Sequence, residues 1–451
     1  MKSIKRGQRI ITFILLFFII GMGMLVYKIQ TEASFYMSNS SNKSIGMVYD
    51  KNGDVLFDGS ENFSKYEAGH FTDVGNIIGD NMGQMSNTLV ARNIEKLNNY
   101  SFASGLVKSG GKAAIYSTLN HKANRAVYDS FGDRKGCAVA YNYMTGEILI
   151  CVSRPSFDIT QGYDNIAEFE SGTLMCKNMY GTVPGSTQKV ATLIAGLEIM
   201  GKDKLFDKHF SCSGVYLNKS GQEIKCHNLY GHGEQNIVQA FANSCNPFFA
   251  QLIEDPDMPL GSIEKVFRSL GYAVNSDEEK YIDINGIKCE KASTTLTDSY
   301  DFNTQWGCIG QGETLISPVQ MMIWQSAVVN ESGKTTNPYM IDHVTDVNGK
   351  VKEKAKTSYS DLLFAPATAS AAKEVMLENG KNYINSISGY EIGVKSGTAQ
   401  VKNGDEENSL LTGFVNDKRN PIAFCVMIED KNGGNVKTET ITKILLDSLC
   451  L

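Results

Sequence analysis

Attack on an amide by a serine needs a base beside the hydroxyl and donors for the oxyanion that forms. Three short patterns in the chain offer the right residue types: Ser186-Thr187-Gln188-Lys189, Ser244-Cys245-Asn246 and Lys395-Ser396-Gly397. In the first, Lys189 lies one helical turn beyond Ser186, so its amine can reach the hydroxyl. The second offers a hydroxyl and an amide on adjacent alternate positions. The third offers a cation, a hydroxyl and a glycine, followed by the hydroxyl of Thr398. Taken singly these patterns are weak. S-x-x-K occurs five times, starting at Ser40, Ser109, Ser186, Ser262 and Ser370, and K-S-G three times, starting at Lys108, Lys219 and Lys395.

Context separates them. Ser186 follows Pro184-Gly185 and opens the apolar run VATLIAGLEIM. A serine there sits at a helix N-terminus, where free N–H groups and the dipole favour negative charge. Lys219-Ser220-Gly221 lies in a polar turn between Cys212 and Cys226, whereas Lys395 follows Ile392-Gly393-Val394 and precedes Thr398-Ala399-Gln400. That pattern predicts an edge strand beside a ligand, with Gly397 leaving room for a substrate backbone. Ser244-Cys245-Asn246 ends an apolar helical run and meets Pro247, which predicts a turn projecting two polar side chains.

The elements that must position these residues are legible in outline. Cys137–Tyr141 and Ile148–Val152 are apolar runs joined by Met144-Thr145-Gly146-Glu147, a hairpin of two buried strands. Val394–Gln400, Leu410–Val415 and Ile422–Ile428 predict three more strands, with helices at Val190–Met200 and Ile237–Ile253 between the two groups. Two strands, then helices, then three strands predict an α+β fold, with one five-stranded antiparallel sheet closed by both ends of the domain and covered by helices. Upstream, Gly46–Phe57 predicts a hairpin with Asn52-Gly53 at its turn, and Ser86–Asn99 a helix. Residues to about 130 read as a small mixed domain without visible chemistry.

Ile10–Val26 carries no charge and is near the length that spans a bilayer. Lys2, Lys5, Arg6 and Arg9 precede it, which predicts a cytoplasmic N-terminus and an exported remainder. A cleaved signal peptide would have a shorter apolar region and a small-x-small site, of which Thr31-Glu32-Ala33 is a poor version. The expected organisation is a tail at 1–9, an anchor at 10–27, a short N-terminal domain at 28–130 that opens with the polar link Ser38–Ser44, and the sheet domain at 131–451. A net charge of −6, with no Lys/Arg-rich block outside the N-terminus, argues against nucleic acid as a partner.

The three motifs stand in the order and approximate separations of penicillin-binding proteins, and the chain resembles that family beyond them. Tyr141–Asp158 is similar to the family's hairpin leading to a P-S-x-D segment, Val183–Lys189 to its P-G-S-x-x-K signature, and Ile309–Met321 to its G-Q-G…P-x-Q segment. Gly231-His232-Gly233 before Ser244 is similar to one branch. Nothing resembling a glycosyltransferase domain precedes the motifs, so the resemblance is to the monofunctional class B type, with a shorter N-terminal region. It implies the transpeptidase fold and a peptidoglycan D,D-transpeptidase acylated by β-lactams. By the same resemblance Ser186 attacks a D-Ala-D-Ala stem peptide and Lys189 takes its proton. Ser244 relays a proton to the departing D-Ala, and Lys395 supplies positive charge. Asn246 holds the substrate amide, Ser396 and Thr398 bind the substrate carboxylate, and Gly397 gives the strand its clearance. Implied partners are peptidoglycan stem peptides, β-lactams, the cytoplasmic membrane, a membrane glycosyltransferase and other cell-wall assembly proteins. No cofactor is implied.

Three other readings share these motifs: a D,D-carboxypeptidase, a β-lactamase and a non-catalytic β-lactam-sensing or assembly scaffold. A class A β-lactamase needs a deacylating glutamate, expected as E-x-x-L-N after Asn246, and no such string occurs between Asn246 and Lys395. His227 and His232 invite a metal site with Cys212 and Cys226, but C-x13-C-x5-H matches no standard structural zinc spacing, so no metal is expected. Cys245 and Cys308 read as packing residues. Cys212 and Cys226 bracket the turn 218–221, and an exported location would permit a disulfide between them.

Overall fold

The computed structural model describes residues 2–38, 45–59, 65–80, 84–98, 100–101, 105–106, 113–276 and 280–450. Its main sheet has five antiparallel strands in the spatial order Ile392–Val401, Glu406–Val415, Ile422–Ile428, Gly136–Asn142 and Ile148–Arg154. The first two strands of the domain thus pair with its last three, as expected, and Ile392–Val401 takes the edge.

The strands read as unbroken apolar runs because both faces are covered. Successive side chains alternate between two cores. Cys137, Val139 and Tyr141 pack on one face with Trp324 and Met321 of the helix Pro318–Val329. Ala138 and Ala140 pack on the other with Val127 of the helix His121–Ser130 and Leu445 of the helix Thr438–Leu449. The sheet therefore lies between helical layers.

A second five-stranded sheet runs Val351–Lys354, Ile341–Thr345, Ala114–Ser117, Met47–Tyr49 and Val55–Asp58. Its hairpin has the expected Asn52-Gly53 turn, held by Asp50, whose Oδ1 accepts from the N–H groups of Asn52 at 2.7 Å and Asp54 at 2.8 Å. Two of its strands come from 341–354, so chain order does not separate the two sheets as a boundary near 130 implies. The expected helix at Ser86–Asn99 is two single turns, Leu89–Arg92 and Ile94–Leu97. Asn93 parts them: its amide donates to Leu89 O at 3.0 Å and to Asn285 O at 2.8 Å, competing with the helical ladder. Asn99, and 39–44 of the polar link, lie outside the described residues.

The N-terminal helix Lys2–Ser38 contains one stretch, Lys5–Ile29, long and apolar enough to cross a membrane and not buried against the rest of the chain.

Candidate active site

Ser186 lies in a 3₁₀ turn, Gly185–Gln188, from which the helix Lys189–Met200 continues. The sequence predicts the serine at the α-helix N-terminus; the tighter turn comes first and the α-helix begins at Lys189. The turn packs against the edge strand through its glycine. A Cβ on Gly397 would stand 2.8 Å from Pro184 O and 3.0 Å from Thr187 N. The clearance expected for a substrate backbone at Gly397 is thus used to seat the Ser186 turn on the strand.

The predicted helix Ile237–Ile253 is broken into Ile237–Ala242 and Asn246–Ile253. Pro247 at the start of the second helix cannot donate to the first. Ser244 in the break has φ 51°, a conformation that L-residues other than glycine seldom adopt. The break turns Ser244 and Asn246 towards Lys189, beside Ser186.

The five motif residues converge. Lys189 Nζ lies 2.9 Å from Ser186 Oγ, 2.8 Å from Ser244 O, 2.7 Å from Asn246 Oδ1 and 3.3 Å from Ser244 Oγ. Asn246 Nδ2 donates to Lys225 O at 3.0 Å, which fixes the orientation of its amide and leaves Oδ1 as an acceptor towards Lys189. Lys395 Nζ donates to Ser244 Oγ and to Ser396 O, both at 3.0 Å.

Both lysines are buried, at 0% and 1% exposure. Burial, then the neighbouring charge of Lys395, holds Lys189 well below the ordinary lysine pKa. Burial pushes Lys395 down to about 7. A neutral Lys189 amine has two N–H donors and one lone pair. Ser244 O and Asn246 Oδ1 can only accept, so they take the two donors. The lone pair is left for the Ser186 hydroxyl, which is the geometry of a general base.

These residues open on a cleft of about 580 Å³ lined by Ser186, Ser244, Asn246, Ser396, Gly397 and Thr398. Two supports escaped the sequence reading. Tyr383 donates its hydroxyl to Ser396 Oγ at 2.8 Å, and no sequence pattern marks it. Gln311 bridges the edge strand, donating to Thr398 O at 3.1 Å and accepting from Gln400 N at 3.3 Å. Its Gly-Gln-Gly setting was the available signal.

All ten cysteines are free thiols, so the expected Cys212–Cys226 disulfide is not formed. The strands Val215–Leu217 and Glu223–Lys225 do form the hairpin between them. Both thiols instead gather with His232 and Cys245, the four ligand atoms lying within 4.8 Å of one another. The spacing of three residues argued against a metal; the fourth, Cys245, was read as packing and is brought in only by folding.

Comparison with known proteins bears on the fold and the family. The chain is 28% identical over 341 residues to Stage V sporulation protein D of Bacillus subtilis, covering 69% of this chain and 48% of that protein. It is 24% identical over 391 residues to peptidoglycan D,D-transpeptidase MrdA of Escherichia coli, covering 75% of this chain and 58% of that one. The chain thus spans about half the length of the curated relatives it matches. Among solved structures, penicillin-binding protein A of Mycobacterium tuberculosis in a ceftriaxone acyl-enzyme complex superposes with TM-score 0.76 at 18% identity, over 90% of this chain and 98% of that one. The D,D-transpeptidase domain of a peptidoglycan glycosyltransferase from Eggerthella lenta superposes with TM-score 0.73 at 22% identity, over 90% and 97%. These likenesses establish the fold. The profile of the penicillin binding protein transpeptidase domain matches residues 136–446, from the first strand of the main sheet into the last helix, and the chain therefore belongs to that family.

Proposed function

We propose that this chain is a class B peptidoglycan D,D-transpeptidase with Ser186 as nucleophile. One observation carries the reading: a buried lysine amine whose donors are both engaged by carbonyl oxygens stands 2.9 Å from the Ser186 hydroxyl. Ser186 Oγ attacks the carbonyl between the two D-Ala residues while Lys189 takes its proton. The N–H groups of Ser186 and Thr398 receive the oxyanion. Collapse breaks the amide bond, and a proton passes through Ser244 to the departing D-Ala nitrogen. An ester on Ser186 remains. An acceptor amine then attacks that ester, loses its proton back through Lys189 and leaves as the cross-linked peptide, restoring the serine. Asn246 holds the substrate amide. Ser396, Thr398 and the charge of Lys395 hold its carboxylate, and substrate binding favours the protonated form of Lys395.

The apolar helix Lys5–Ile29, preceded by Lys2 and by further basic residues within its first turns, supports a single-pass anchor with a cytoplasmic N-terminus and the catalytic domain outside. That side holds the lipid-linked strands, so a membrane glycosyltransferase is the partner that would supply donor glycan.

The test is intact-mass spectrometry of the protein after exposure to penicillin. One adduct of the full penicillin mass is expected, mapping to the Ser186 peptide and absent from Ser186→Ala. Supplied with donor strands and an acceptor amine, the protein should yield more cross-linked dimer than hydrolysed stem peptide. Rapid turnover of penicillin, or hydrolysis without cross-links, would overturn the transferase assignment.

A further inference from the structure

We propose that Tyr383 is a positioning residue for the substrate's terminal carboxylate: by donating to Ser396 Oγ it keeps the Ser396 hydrogen free for that carboxylate and makes it a stronger donor. The inference rests on the reading of Ser186 as nucleophile and of Ser396 and Thr398 as the carboxylate subsite.

The chain builds the contact in three steps along the edge strand Ile392–Val401. The helix Pro366–Gly380 ends directly on that strand. A Cβ on Gly380 would collide with Ile392 O, so this approach needs glycine. Two residues along, Val394 O accepts from Asn379 Nδ2 at 2.8 Å. Two further along, Ser396 Oγ accepts from the Tyr383 hydroxyl at 2.8 Å. Tyr383 closes the 3₁₀ turn Lys381–Tyr383, and its carbonyl accepts from Ile387 N at 2.8 Å. Its ring packs on the apolar cluster that contains Ile387 and Ile392. Held by backbone and ring, the phenol has little freedom to turn away from Ser396.

A serine hydroxyl has one hydrogen and two lone pairs. Tyr383 occupies one lone pair, so the hydrogen must point elsewhere. Among the described residues nothing accepts it, and Ser396 lines the cleft. The two carboxylates that line the cleft have partners of their own. Glu407 pairs with Lys431 at 2.6 Å, and Glu439 accepts from Thr438 Oγ1 at 3.2 Å. Burial raises the Tyr383 pKa, against the opposing effect of the hydrogen bond to Ser396, so the phenol stays protonated and able to donate. A donor on the serine oxygen polarises its O–H, because linked hydrogen bonds strengthen one another.

The polarised hydroxyl does not act alone. Ser396 and Thr398 stand two apart on a strand, so their side chains leave the same face, and both line the cleft. Lys395 Nζ, 3.0 Å from Ser396 O, adds the cation. Two hydroxyl hydrogens and an ammonium suit an anion with two oxygens. Tyr383 therefore favours a free C-terminal carboxylate over its ester or amide, since a donor gains about twice as much from a charged acceptor as from a neutral one.

The test compares acylation of the full chain by penicillin and by its methyl ester, which lacks the anionic oxygen. Tyr383→Phe keeps the ring and removes one hydroxyl. Penicillin acylation should slow roughly tenfold, the lower end of what a hydrogen bond to a charged group contributes. Acylation by the ester should slow no more than about threefold, since a neutral acceptor gains about half as much. In a Ser396→Ala background, Tyr383→Phe should change neither rate, because the hydroxyl it acts on is gone. Tyr390→Phe removes a phenol packed on the same cluster but bonded to Asp447, and should leave both rates unchanged. Unchanged penicillin acylation in Tyr383→Phe would overturn the inference. So would equal slowing with penicillin and ester, or the same slowing in the Ser396→Ala background, either of which would reduce Tyr383 to a packing role. All three outcomes leave the Ser186 assignment intact. Absence of any penicillin adduct on the unaltered chain would overturn that assignment, and the carboxylate subsite with it.

Discussion

Buried charge is handled in opposite ways in two regions of this molecule. Against the helix His121–Ser130, Asp73 is fully buried and paired: Arg125 Nη2 lies 2.6 Å from its carboxylate and His121 Nε2 3.3 Å. Burial, the largest single influence, works against protonation of His121, but the hydrogen bond to Asp73, the charge of that carboxylate and the hydrogen bond to the His70 carbonyl together outweigh it and raise the pKa. In the cleft, Lys189 and Lys395 are equally buried, yet their polar neighbours are hydroxyls, carbonyls and an amide. Burial lowers both pKa values. The first arrangement favours the charged form of His121 and the second disfavours the charged form of each lysine. A buried ion pair braces the fold; a buried amine without a counter-ion is ready to take a proton.

The comparison breaks most severely at Lys189. Lys189→Met keeps the length and apolar character of the side chain and deletes the base. Acylation by penicillin should fall roughly 10²–10⁴-fold, the usual worth of a general base. Its cost in stability should stay below that of breaking the Asp73 pair, because a neutral group is lost. Stopped-flow acylation beside urea denaturation measures both, and near-normal acylation would remove Lys189 from the base role.

The mirror experiment is Arg125→Met. It leaves the Asp73 carboxylate buried with only His121 as a cationic partner and removes donors to Gly69 O and His70 O. Unfolding free energy should drop by about 3 kcal/mol, while the acylation rate of the folded fraction stays unchanged. A loss of acylation without loss of stability would contradict the division of roles.

The smallest effect sharpens the difference between the two lysines. In the proposed mechanism, acylation needs Lys189 neutral and Lys395 charged. The second-order rate constant should therefore rise with pH as Lys189 loses its proton. It should then fall as pH passes about 7 and Lys395 loses its own, by up to about tenfold per pH unit. Lys395→Arg cannot deprotonate in this range, so its alkaline limb should vanish even if its maximum is lower. An alkaline limb that persists in that variant would assign the titration to another group.

Much of this was legible in the chain itself. The unbroken apolar runs at 137–141, 148–152, 410–415 and 422–428 determine strands buried on both faces, because a sheet covered by two layers needs no polar alternation. Ser186 with Lys189 one turn on, Ser244 two residues before Asn246, and Lys395 before Ser396 and Gly397 mark the candidate reacting groups, because each motif is local. What is not local was decided by the tertiary structure. Strands at 341–354 complete the N-terminal sheet, since an edge pairs with whatever strand folding brings beside it. Gly397 clears the turn that carries Ser186. Cys245 passes from packing residue to member of a four-ligand cluster because Cys212, Cys226 and His232 arrive from separate turns. Above all, no spacing encodes the lowered pKa of Lys189. It arises from desolvation and from the charge of Lys395, and both exist only once the surrounding chain has closed over the amine.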